Sequence, residues 1–159
     1  MPRRYYAKQK KTYAKDQDFE LRRKDRYLIN IALVSIKPRK DYDIASKTGE
    51  FYFKIGSGIR YVRAPNRGFI QIHENDEFTP GQSDFSLYTE FLTLKRDDEK
   101  EVTVRIRLFE RDVGKVDDLV FEKKIPIKLQ YSDTEYIILQ DEDKKVKVKI
   151  KVRAARTRF

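Results

Sequence analysis

The chain has 159 residues, 39% hydrophobic and 39% charged, with 36 Lys/Arg, 26 Asp/Glu, one His and no Cys. That length suits one domain with tails and a proper hydrophobic core, and the lack of cysteine excludes disulfides and thiolate metal sites. No apolar stretch reads as a secretory or membrane-spanning segment, so the expected location is intracellular and cytoplasmic.

Residues 1–26 read as a basic arm, extended or disordered when free. Tyr5, Tyr6 and Tyr13 are interleaved there with Arg3, Arg4, Lys8, Lys10, Lys11 and Lys15. Cations hold phosphates and aromatic rings stack on bases, so this mixture suits RNA or single-stranded DNA. A solvated tail is the plainer alternative.

Residues 27–153 carry a succession of short strand signals. Tyr27–Ile36 is apolar on both faces, as a central sandwich strand can be. Glu50–Ile55 alternates Phe51, Phe53 and Ile55 against Tyr52 and Lys54. Turn residues flank a short strand expected at 59–62, and a further strand is expected at 68–73. His73 has no second His or Cys to work with and reads as an ordinary strand residue.

Strands are expected next at Phe85–Leu94 and Glu101–Glu110. In the second of these, Val102, Val104, Ile106 and Leu108 alternate with Thr103, Arg105, Arg107 and Phe109, so the first set faces a core. The same parity continues to Glu110 and Asp112, two carboxylates at the rim of the sheet, before a turn with Gly114 and the pair Asp117–Asp118. Clustered acids repel and resist desolvation unless a positive group lies among them, which makes this end a candidate site.

Strands at Leu119–Leu129, Glu135–Leu139 and Lys144–Arg153 complete the set. No segment keeps a helical period over three turns, and short strands separated by turn signals argue an all-β, antiparallel sandwich. The last strand alternates Val146, Val148, Ile150 and Val152 against Lys145, Lys147, Lys149, Lys151 and Arg153. Its cationic row spaces charges ~7 Å apart, fit for a polyanion; a guard against aggregation on an exposed or edge strand is the competing account. Residues 154–159 form a basic tail with Arg156 and Arg158.

Charge follows the same division. Residues 1–15 hold six cations and residues 144–159 hold eight, neither with an acid, which leaves 22 basic residues against all 26 acids between them. A mildly acidic middle with basic ends suits docking on an anionic partner.

Four segments, in order, resemble the calcium-and-lipid-binding C2 domain family. Glu50–Ile55 looks like its Asp-Pro-Tyr strand, and Tyr88–Leu94 like its aromatic-Asn-Glu-x-Phe-x-Phe strand. Leu108–Ile125 looks like its third loop, with Glu110, Asp112 and Asp118 in carboxylate positions. Glu135–Leu139 with the Lys/Val strand looks like its Trp-x-x-Leu segment and closing strand. The resemblance spans about Tyr27 to Arg153 and implies an eight-stranded antiparallel sandwich with carboxylate loops at one end. It also implies that Asp41, Asp43, Glu50, Glu110, Asp112 and Asp118 could supply oxygens to calcium, which takes six to eight. The chain departs from the family in having Glu at 50 and 110 and no Trp, and Lys40, Arg111 and Lys115 stand among the acids and could neutralise them.

Nothing points to an enzyme. There is no cysteine, no phosphate-cradling Gly-rich loop and no Gly-x-Ser-x-Gly. The expected function is a non-catalytic docking or structural module whose basic termini bind an anionic partner, nucleic acid or a ribonucleoprotein first. The alternatives are a peripheral module on anionic phospholipid, with or without calcium, and a self-assembling shell protein. Val113 and Val116 are the apolar loop residues available to enter a bilayer.

Overall fold

A computed structural model describes residues 24–39, 48–73, 76–81, 85–95, 101–129 and 133–157. Every regular element among them is a strand: β1 (Lys24–Pro38), β2 (Thr48–Gly56), β3 (Val62–Ala64), β4 (Ile70–His73), β5 (Phe85–Lys95), β6 (Glu101–Glu110), β7 (Asp118–Lys128), β8 (Asp133–Gln140) and β9 (Val146–Thr157). No helix among these residues is long and apolar enough to cross a membrane.

The strands form two antiparallel sheets. One has the order β5-β1-β9-β8; the other runs β3-β2-β6-β7, with β4 also on β2. β3 pairs with Phe53–Ile55 and β4 with Thr48–Phe51, so the two short strands share one edge of β2. Nine strands thus fill eight places, four in each layer, as the sandwich requires.

Period-two alternation decides which side chains the layers trap between them. Phe51, Phe53 and Ile55 of β2, Val104, Ile106 and Leu108 of β6, and Val146, Val148, Ile150 and Val152 of β9 are all buried and join one core. Val102, expected among them, is only partly buried at the strand's start. Burying side chains of this size yields roughly 1.5–3 kcal/mol each, which is what holds the layers together.

The short strand expected at 59–62 is displaced. Ile59 is almost fully exposed, and pairing begins at Val62. The physical cause is the turn after β2: a side chain at Gly56 would meet the Arg60 carbonyl oxygen at 2.1 Å, so the chain folds back tightly there and spends Ile59 on the turn. A cis Ala64–Pro65 peptide then separates β3 from β4.

The outer limits also differ from expectation. β1 already pairs at Arg26 with Thr157 of β9, so 24–26 and 154–157 are strand residues. Inside that extension Asp25, the one buried charged residue among the described residues, accepts from the Arg156 guanidinium. β7 is the edge of its sheet, consistent with Pro126, which lacks a ladder donor.

Candidate functional site

The β6–β7 connection gathers carboxylates at one end of the sandwich. Register places Glu110 opposite Phe51, next to Glu50, and opposite Asp118 on its other side. Asp112 lies in the intervening loop, which Gly114 helps to reverse with φ +85°. Glu50, Glu110, Asp112 and Asp118 therefore share this end. Asp41, Asp43 and Lys40 lie outside the described residues.

The cation expected among these acids is Arg111. Its Nη1 is 3.2 Å from Glu50 Oε2, and its backbone N–H donates to the Glu50 carbonyl at 2.8 Å. Gln71 Nε2 reaches Glu50 Oε1 at 3.5 Å. Asp117, which the expected calcium set omits, is the organiser of the loop: Tyr52 OH donates to its Oδ2 at 2.6 Å and the Asp112 N–H to its Oδ1 at 3.2 Å. The Tyr52 hydrogen bond, aided by the Asp112 N–H, Arg111 and Arg63, holds the Asp117 carboxyl below its usual range. Burial and that same bond push the Tyr52 phenol up to about 12. Asp118 moves the other way, raised by its hydrogen bond and charge interaction with Asp112.

The carboxylates of this end are taken up by different partners, Glu50 by Arg111, Asp117 by Tyr52 and the Asp112 N–H, and Asp112 by Asp118. Among the described residues no group of three or more His, Cys, Asp or Glu is arranged to hold a metal ion. Calcium needs many oxygens free to converge, and the described residues alone do not fit that demand.

Beside this end, the outward face of the β2–β6 sheet carries a cluster of cations on aromatic rings. Tyr52 stacks on Phe109, centroids 5.2 Å apart and 11° between planes, and meets Phe69 edge-on at 5.8 Å. Arg63 lies 4.4 Å over Tyr52 and 5.0 Å from Phe69, while Arg111 covers Phe69 at 4.9 Å. Lys54 sits 5.2 Å over Phe109, and Arg107 sits 4.7 Å over Tyr61. Arg63 also donates to the carbonyls of Pro65 and Gly68, at 2.5 and 2.7 Å, which fastens the turn carrying Phe69.

Further along, Arg105 donates to Tyr61 OH at 2.8 Å and pairs with Glu122 at 3.1 Å. Arg107 Nε is buried without a hydrogen-bond partner, although Glu122 Oε1 lies within ion-pair distance at 3.5 Å. Sequence reasoning missed this cluster. The signal available to it was the outward set of each strand, Tyr52 and Lys54 on β2 and Arg105, Arg107 and Phe109 on β6.

The closing strand's cations stand on its outward face, and that strand is interior to its sheet. Lys147, Lys149, Lys151 and Arg153 point outward from β9, opposite its buried residues, and Lys145 is exposed just before the strand. β9 is paired on both sides, by β1 and β8, so it is no edge strand and its lysines guard no open edge. Arg156, expected in a polyanion-binding tail, is engaged with Asp25. Arg3, Arg4, Lys8, Lys10, Lys11, Lys15, Tyr5, Tyr6, Tyr13 and Arg158 lie outside the described residues.

No protein-family model matches the sequence, and no curated protein matches it. Among solved structures the chain is similar to human GIVD cytosolic phospholipase A2, with 6% identity and a TM-score of 0.57 over 84% of this chain. It spans only 17% of that enzyme. The fold is C2-like. A C2 domain protein from Ramazzottius varieornatus aligns with 14% identity over 84% of this chain and 90% of that one, TM-score 0.46. Calcium-bound extended-synaptotagmin 2 aligns with 18% identity over 80% of this chain and 45% of that one, TM-score 0.46. In this C2-like sandwich the β6–β7 carboxylate loop lies at one end, and the cation–aromatic cluster occupies the sheet face next to it.

Proposed function

We propose that this chain is a non-catalytic docking module whose partner is an anionic phospholipid surface. The observation that carries the reading is the cation–aromatic cluster: Lys54, Arg63, Arg105, Arg107 and Arg111 around Tyr52, Tyr61, Phe69 and Phe109. Guanidinium groups recognise phosphate oxygens bidentately, and stacking on rings holds them ready at little cost in side-chain freedom. Each cation brought to an anionic leaflet contributes about 1 kcal/mol. At the adjoining loop tip, Val113 and Val116 are 85% and 89% exposed, an apolar pair available to enter the interface. The likeness of the fold to lipid-binding C2 domains adds support at the level of fold.

In this reading the chain supplies its own positive charge, and Arg111 already neutralises Glu50, so docking does not depend on calcium. Co-sedimentation with vesicles tests it. Binding should require anionic lipid, weaken with salt, and survive chelation of divalent ions. Lys54→Ala should cost about fivefold in affinity, the equivalent of one cation. Equal binding to neutral vesicles, or none to anionic ones, would defeat the reading.

A further inference from the structure

The two layers of the sandwich turn their outer faces in opposite directions, so a chain docked by the β2–β6 face leaves the outer face of the β5-β1-β9-β8 sheet free. That second face has its own composition. Along β9 the outward residues are Lys147, Lys149, Lys151 and Arg153. Their neighbours across β1 are Lys37, Ser35, Ala32 and Asn30, and across β8 they are Gln140, Ile138, Tyr136 and Thr134. None of these positions is an Asp or a Glu. Lys37 stands directly opposite Lys147, an arrangement that costs stability in the free protein and is relieved when an anion covers it.

Rings flank the cationic row on both edge strands. Tyr136 of β8 is 59% exposed with Lys149 Nζ 5.3 Å from its centroid, and Phe91 of β5 is 71% exposed. A shallow cavity of about 230 Å³ opens beside Tyr136 and Lys151, edged by Ala32, Val34, Pro80 and Gly81. On β1, inside the Phe91 edge, Asn30 Nδ2 donates to Ser86 Oγ of β5 at 3.2 Å and to Thr89 Oγ1 of β5 at 2.9 Å, and Ser35 of β1 adds a hydroxyl opposite Lys149, so the interior of the face is polar.

We infer that this face binds single-stranded nucleic acid, a partner additional to the phospholipid surface proposed above. Cations two residues apart on one strand lie ~7 Å apart in a straight row, a track for a flexible phosphate backbone. A base entering the cavity stacks on Tyr136, and a base beyond the row stacks on Phe91, in the sequence-tolerant manner of open aromatic platforms. A bilayer fits this face less well, because its rings stand at opposite edges with a polar centre between them, and the exposed valine tips belong to the other sheet.

Fluorescence anisotropy of the full chain with a labelled oligouridine tests the inference, with oligothymidine as a second probe. Log affinity should fall with log salt by about 0.7 per neutralised phosphate. Replacing Lys147, Lys149 and Lys151 together by Gln should flatten that slope by about two units, and Tyr136→Ala should weaken binding about tenfold. Arg63→Ala should leave both unchanged, which separates this face from the phospholipid reading. An unchanged slope in the triple variant would assign binding to the arm and overturn the inference. So would loss of vesicle binding at unchanged oligonucleotide affinity. If the triple variant folds poorly, photocrosslinking of a thiouridine oligonucleotide to the unaltered chain decides: adducts at Tyr136 or Phe91 support the site, and adducts confined to residues 1–23 reject it.

Discussion

The two outer faces of the sandwich are both cationic but are built on opposite plans. On the β2–β6 face each guanidinium is held: Arg63 by two carbonyls and two rings, Arg105 by Tyr61 and Glu122, Arg111 by Glu50 and Phe69. On the β9 face the cations stand in a row with hydroxyls, an amide, alkyl groups and another lysine across from them. A held cation costs little to order when a ligand arrives and presents one geometry. A row with no carboxylate directly opposite it on either neighbouring strand adapts to a flexible partner. The difference matches a rigid headgroup-facing surface on one side and a tolerant polyanion track on the other.

The comparison breaks first, and by the largest effect, on adjacent residues of β9. Ile150 is fully buried, and Ile150→Ala should lower unfolding free energy by about 2–5 kcal/mol. Lys149→Ala, one residue away on the outer face, should stay within about 0.5 kcal/mol of the parent in the same denaturant melt. Comparable losses from both would mean that the lysine row is part of the fold and not a surface left for a partner.

That pair of substitutions also marks what could be read without coordinates. Alternation in β2, β6 and β9 told inward Phe53, Ile106 and Ile150 from outward Lys54, Arg107 and Lys149, because a half-buried strand has no other way to satisfy both solvents. Which strands are neighbours was not readable in the same way. The ring of Tyr52 meets Phe109 and the Arg63 guanidinium only because β2 lies between β3 and β6, and local pattern carries no such information. The interior position of β9 was hidden for the same reason, and with it the answer to whether its lysines guard an edge. At the carboxylate end, strand parity and the turn that follows already gathered Glu110, Asp112, Asp117 and Asp118, and the resemblance added calcium roles for three of them. Asp117 was left out of the calcium set, and its role in the loop was hidden because it depends on a hydroxyl 65 residues away.

The next effect concerns the held cations themselves. Arg63→Ala removes two carbonyl hydrogen bonds and two ring contacts, and should cost about 1–3 kcal/mol in thermal or denaturant unfolding. Lys147→Ala, with no such attachments described, should cost far less. Equal and negligible losses would show that the guanidinium is not held after all, and the contrast between the faces would go.

A smaller effect comes from the Tyr52–Asp117 bond and appears only at the extremes of pH. The Asp117 carboxyl titrates below its ordinary 3.8 in the folded chain, so its contribution is present above that value and is lost as pH falls through the lower, folded pKa. The Tyr52 phenol is raised from 10.0 to about 12, so its contribution is present below 10 and is lost as pH climbs from there towards 12. Tyr52→Phe should therefore lower the melting temperature at pH 7, and the gap should narrow as pH approaches 12. A gap constant across that window would show that the phenol contributes packing alone.

The smallest expected effect lies at the loop tip, where two carboxylates adjoin the held face. Asp118 is raised by Asp112, so the folded chain binds a proton there more readily than the unfolded chain does. A raised folded pKa contributes stability below the ordinary value of 3.8 and loses it as pH rises and both carboxylates ionise. Asp118→Asn should then raise the melting temperature slightly at pH 7 and leave it unchanged near pH 3. Millimolar calcium separates this from metal binding. If the pair merely repels, calcium should stabilise the parent no more than it stabilises Asp118→Asn, because a specific ion that binds only the folded chain shifts melting by mass action and needs both carboxylates to do so. A calcium shift present in the parent and absent in the variant would make this end a metal site after all, and would give the held face a switch that the β9 row lacks.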